Sequence, residues 1–113
     1  ELLKKVDRYQ SELLAYFLGK MRSAREGDAS LLDNSLIIAG SSLSDGNLHL
    51  HNDVPTLLLG GAQGKVKTGR HVRYNSEPLS NLHLAVMDMF DTPSEEFVSG
   101  KTSDATGILP GLA

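Results

Sequence analysis

The sequence predicts an α/β fold: part of a mixed or mostly parallel sheet flanked by helices. Three observations carry that reading. Apolar residues recur at helical spacing in two stretches, two short runs are almost continuously apolar, and a long polar loop joins those runs. Near-continuous apolar strands, rather than strictly alternating ones, fit a sheet covered on both faces.

The first helix is read over 1–26. Leu2, Val6, Tyr9, Leu13, Phe17 and Met21 recur at three- and four-residue spacing, with Lys4, Lys5, Arg8, Glu12 and Lys20 on other faces. Gly27 offers the left-handed conformation of a helix stop. No capping residue precedes the pattern at Glu1, so a natural continuation upstream is expected. A strand follows over 35–39 (SLIIA), then a polar loop over 40–53, then a second strand over 54–59 (VPTLLL) closed by Gly60-Gly61. From 65 to 74 basic residues alternate with others around Thr68-Gly69. That pattern predicts a hairpin or edge strand with Val66 and Val72 turned inward. A second helix is expected over 78–90, with Pro78 in its first turn, Ser76 or Glu77 near its cap, and Leu79, Leu82, Val86 and Phe90 on one side. The tail 91–113, rich in Gly, Ser and Thr, reads as loop lying along a surface.

Bulk properties narrow the function classes. A chain of 113 residues with 40% hydrophobic and 22% charged residues matches a folded domain, or a portion of one. The net charge of −3 gives no overall attraction to nucleic acid or anionic membrane, so such binding would have to be local. No apolar run approaches the ~20 residues that span a bilayer. Without cysteine, any metal site must use His, Asp, Glu or Asn.

The loop 40–53 holds the densest collection of chemically competent groups: Ser41, Ser42, Ser44, Asp45, Asn47, His49, His51, Asn52 and Asp53. His49 and His51 stand two apart, so in extended backbone both imidazoles reach the same side. With Asp45 they form a candidate site for a divalent metal such as zinc or calcium. A structural metal wants three or more protein ligands, so the rival reading is that these histidines hydrogen-bond the loop to itself or to an upstream domain. Lys67, Arg70 and His71, in the basic run with Lys65 and Arg73, are the candidate anion-binding residues. The rival there is a solvated edge strand whose charges discourage aggregation. Aromatic partners for stacking on bases are scarce, with Tyr74 alone nearby, which excludes nucleic acid as a partner.

Three motif look-alikes fail on mechanism. His49-Leu50-His51-Asn52-Asp53 lacks the final histidine of a metallo-β-lactamase motif, Val54 standing there. Gly40-Ser41-Ser42-Leu43-Ser44 lacks the second glycine of a nucleophile elbow. Gly60-Gly61-Ala62-Gln63-Gly64-Lys65 is one residue short of a phosphate-binding P-loop, and Val66 replaces its magnesium-binding hydroxyl.

Several short pieces, taken in order, carry a family resemblance. They are Asp33-Asn34, Gly40-Ser41, Asp45-Gly46-Asn47 with His49, Asn52 with Pro55, Gly60-Gly61, Gly69-Arg70-His71, Pro78-Leu79 with Asn81-Leu82, and the closing SDATGILPGL. Together they resemble the carboxy-terminal region of the HxxSHH family, a domain of unknown function (1552) found mainly in exported bacterial proteins. That family is in turn similar to the alkaline phosphatase and sulfatase superfamily. Those enzymes place an Asp-His pair after the strand where this chain has Gly40-Ser41-Ser42. The resemblance implies an alkaline-phosphatase-like fold, export to the periplasm or outside the cell, and an upstream part of the same protein as partner. It further implies either a metal-dependent hydrolase of phosphate or sulfate esters acting on an anionic small molecule, or a noncatalytic exported binding or structural module that keeps the fold.

Overall fold

In a computed structural model the described residues are 1–97 and 103–113. They form two compact units, Glu1–Gly64 and Lys65–Ala113. Helices and small antiparallel sheets are both present, in the order α1 (Leu2–Ser23), β1 (Arg25–Glu26), β2 (Ala29–Ser30), β3 (Ile37–Gly40), β4 (Thr56–Leu59) and α2 (Leu79–Met89).

The amphipathic repeat drives α1, but the helix stops three residues earlier than Gly27 suggests. Its C-cap is Ala24, in extended conformation, with its N–H bonded to the Lys20 carbonyl. The reason is local. Arg25 and Glu26 pair with Ser30 and Ala29 around a two-residue turn whose first residue, Gly27, has φ +65°. Gly27 therefore serves a hairpin turn rather than a helix stop, the positive φ being what such tight turns require. Arg25 donates to the Asp28 carbonyl across the same turn.

β3 and β4 pair antiparallel in the register Ile37↔Leu59 to Gly40↔Thr56, and the strands among the described residues include no parallel pair. Each strand carries apolar residues on both faces, as expected of a sheet meant to be covered twice. Gly60-Gly61 then brings the chain against the turn that precedes β3. The Gly61 N–H donates to the Leu32 carbonyl at 3.1 Å and the Ala62 N–H to the Ser35 carbonyl at 3.0 Å. A Cβ on Gly61 would stand 2.6 Å from the Asp33 carbonyl oxygen, and Gly60 combines φ +105° with similar crowding. These glycines are packing devices, with no helix N-terminus to present amides to a phosphate: only a single 3₁₀-type turn over Ala62–Gly64 follows.

In the second unit the segment 65–74 forms no strand, contrary to the hairpin or edge strand its alternation predicts. Its polar groups bond instead to the chain's last residues. Val66 is buried as expected while Val72 is exposed. α2 begins at Leu79 with Pro78 itself at the cap position and no side-chain cap bond; Ser76 lies outside with φ +59°. Its inward face is Ser80, Asn81, Leu82, Leu84 and Ala85, whereas Leu79 and Phe90 are exposed. The stripe is rotated because the tail covers it: Leu109 and Leu112 are buried and complete a core with Val66, Leu82, Leu84 and Ala85. The tail is thus core-forming at its end, and the part of it at 98–102 lies outside the described residues.

Candidate functional site

The loop after β3 is built by its own polar groups. The Asp45 Oδ1 accepts the N–H groups of Asn47 and Leu48, both at 2.9 Å, an arrangement that lets one carboxylate hold a turn. Asp45 and Leu50 form an isolated antiparallel bridge, and the Ser44 N–H donates to the Leu50 carbonyl at 2.9 Å. The His51 Nδ1 lies 3.0 Å from the Ser42 carbonyl. Since a carbonyl only accepts, the contact places a proton on Nδ1, and in the neutral ring Nε2 is then the nitrogen with the lone pair. His49 is exposed, with φ +52°, a conformation uncommon for a residue with a side chain.

His49 and His51 therefore do not sit in the extended backbone that would align their rings, because the positive φ at His49 turns the chain between Leu48 and Leu50. Asp45 keeps one oxygen outside the turn. Among the described residues, no three His, Asp or Glu side chains converge as a metal ion requires.

The candidate anion-binding residues are arranged around the tail. The Arg70 Nε donates to the Lys67 carbonyl at 3.0 Å, and its Nη2 to the carbonyls of Gly111 and Leu112, the latter at 2.9 Å. The Lys67 N–H donates to the Leu112 carbonyl at 3.0 Å, and the Tyr74 hydroxyl to the Pro110 carbonyl at 2.8 Å. Five donors is the full capacity of a guanidinium, and here the fork is aimed at backbone carbonyls. His71 and Arg73 are exposed beside it. Lys65 donates to the Met89 carbonyl at the end of α2, where a cation also complements the helix dipole.

Sequence reasoning missed the residue that organises this unit. Asn81 is 2% exposed. Its Nδ2 donates to Glu77 Oε2 and Thr106 Oγ1, and its Oδ1 accepts the Thr106 N–H, all at 2.8 Å. Its carbonyl accepts the Leu109 N–H at 3.0 Å. Beside it the buried Ser80 hydroxyl donates to Asp104 at 2.5 Å. The available signal was an Asn at a core-facing position between Leu79 and Leu82, since a buried amide demands partners.

One carboxylate has a displaced titration. Two bonds from Ser30, hydroxyl (2.7 Å) and then backbone N–H (2.9 Å), hold the Asp33 carboxyl below its ordinary value of 3.8; Arg25 and Arg22 add smaller attractions. That bond pair fixes the Asp33-Asn34 turn, and the Asp33 carbonyl in turn accepts the Gln63 N–H at 2.9 Å. The Asn34 amide donates to Glu26.

Comparison with protein families, with curated proteins and with solved structures finds no match to this chain. No helix among the described residues is long and apolar enough to cross a membrane.

Proposed function

We propose that this chain is a noncatalytic binding or structural portion of an exported α/β protein, related by resemblance to the HxxSHH family and through it to the alkaline-phosphatase-like fold. The observation that carries the reading is the internal use of the candidate groups: Asp45 closes its own turn and His51 ties to the Ser42 carbonyl. Arg70, the leading anion ligand, clamps the tail in the same way. The order helix, Asp33-Asn34 turn, strand, loop, strand supports the likeness to the superfamily, while Gly40-Ser41-Ser42 stands where its metal-binding pair belongs.

A second reading, a metal-dependent hydrolase of phosphate or sulfate esters, is favoured by one detail. An Nδ1–H bonded to a carbonyl is how metal-binding histidines are commonly oriented, and it leaves Nε2 of His51 free for zinc or a similar ion, with further ligands supplied from upstream. Calorimetric titration of the chain, and of the protein containing its upstream part, with zinc and with calcium decides between the two. The noncatalytic reading expects no uptake sensitive to His49→Ala or His51→Ala, and faster amide exchange across 42–51 in His51→Ala. Stoichiometric binding abolished by both substitutions would sink it.

A further inference from the structure

Asp45 precedes Gly46, and none of the seven other aspartates, nor any asparagine, precedes a glycine. That step is chemically distinct. A backbone nitrogen can attack the side-chain carboxyl of the residue before it and close a five-membered ring, and glycine obstructs the approach least because it has no Cβ. Both reacting groups are exposed here. The Gly46 N–H has no acceptor among the described residues, and a Cβ built on Gly46 would meet nothing within 4 Å.

The two carboxyl oxygens of Asp45 are differently held. Oδ1 accepts the N–H groups of Asn47 and Leu48, each at 2.9 Å, whereas Oδ2 has no partner among the described residues. When the Gly46 nitrogen adds to Cγ, negative charge develops on the oxygen that stays. Two backbone amides aimed at that oxygen are how acyl-transfer sites stabilise such a charge. Oδ2, held by nothing, is the oxygen that leaves. The bonds that close this turn are therefore also placed to favour its rearrangement.

We propose that Asp45-Gly46 is a self-modification site, where the loop closes to a succinimide and reopens as isoaspartate, the Asn47 and Leu48 amides stabilising the oxyanion. The reaction runs through the neutral acid. The bond between Gly46 N and Asp45 Cγ forms, the Cγ–Oδ2 bond breaks, and Oδ2 departs as water with the carboxyl and amide protons. Solvent water then adds to the ring at the Asp45 main-chain carbonyl, whose bond to Gly46 N breaks. The chain now runs through Cβ and Cγ, and the former main-chain carbonyl is a free carboxylate. The Leu50 N–H thereby loses its main-chain acceptor at Asp45, and the turn loses the side-chain oxygen that held Asn47 and Leu48. This rearrangement does not depend on whether the loop binds metal.

The 113-residue chain is aged in mildly acidic water carrying heavy oxygen, folded in one arm and unfolded in urea in the other, then digested and mapped by mass spectrometry. Isoaspartate should accumulate at residue 45 ahead of the other aspartates, with heavy oxygen incorporated there. One hydrogen bond is worth about fivefold in a rate, so the folded arm should form it about fivefold faster or more. Amide exchange in the aged folded chain should quicken at Asn47, Leu48 and Leu50. Asp45→Glu keeps the charge but would need a larger ring, and should give no such product. Gly46→Ala should slow it without disturbing the fold, since Gly46 has no positive φ and its Cβ site is open. Isoaspartate no more abundant at 45 than at the other aspartates overturns the site. Formation as fast or faster in urea overturns the role of the two amides.

Discussion

The two units use polar side chains to opposite effect. In Glu1–Gly64, the carboxylate of Asp45 and the ring of His51 hold an exposed loop, and the buried positions are only Ser30 and Ala62. In Lys65–Ala113, an amide hub at Asn81 is sealed under Leu82, Leu84, Leu109 and Leu112. A hydrogen bond in water exchanges one good partner for another and nets about 1 kcal/mol, whereas a buried group left without its partner forfeits its solvation outright. The same bonds should therefore be local ornaments in the first unit and conditions of folding in the second.

Substitutions can break or sharpen that contrast. The largest effect is expected from Leu84→Ala, which opens a cavity in the second unit's core and should cost about 2–5 kcal/mol in denaturant unfolding of residues 65–113. Asn81→Ala comes next, at about 1–3 kcal/mol, because it removes three side-chain bonds to Glu77 and Thr106 at once; release of the 103–112 segment should appear as rapid amide exchange at Thr106 and Leu109. Asp45→Ala should cost about 1 kcal/mol or less, and confine its exchange effects to 44–50. An Asp45→Ala effect as large as that of Asn81→Ala would erase the distinction.

The smallest and most local effect is acidic. Because Asp33 titrates below 3.8 in the folded state, its contribution is fully present above that value and is lost as pH falls through the lower folded pKa. Loosening of the 30–35 turn should follow at pH below about 4. Ser30→Ala should raise the Asp33 pKa toward 3.8, as read by carboxyl-carbon NMR.

Much of the element list was legible because it rests on near-neighbour periodicity. The apolar repeat gave α1, the two apolar runs gave β3 and β4, and Pro78 marked the start of α2 to within a residue. What failed depended on partners distant in sequence. The basic alternation at 65–74 looks like a strand, yet the Lys67 N–H and the Arg70 fork bond to carbonyls some 41 to 45 residues away along the chain. Among the tail's described residues, only Leu109 and Leu112 are inserted into the core, and two insertions make no period. At the candidate metal site, the residue types were read directly, but the alignment of His49 with His51 presumed extended backbone. A φ of +52° at a histidine has no signature in composition.

The anchoring of Pro110, Gly111 and Leu112 has a consequence for biosynthesis. Loop-closure entropy is lost before distant contacts repay it, and chains emerge from the ribosome amino end first, at roughly 5–20 residues per second. α2 can coil as soon as it appears, but Asn81, Leu82 and Leu84 have nothing to close over them until the carbonyls clamped by Arg70 and Tyr74 have been made. The core of Lys65–Ala113 is therefore assembled after Leu112 has cleared the exit tunnel, and until then α2 is a nascent helix whose apolar side stands open to chaperones.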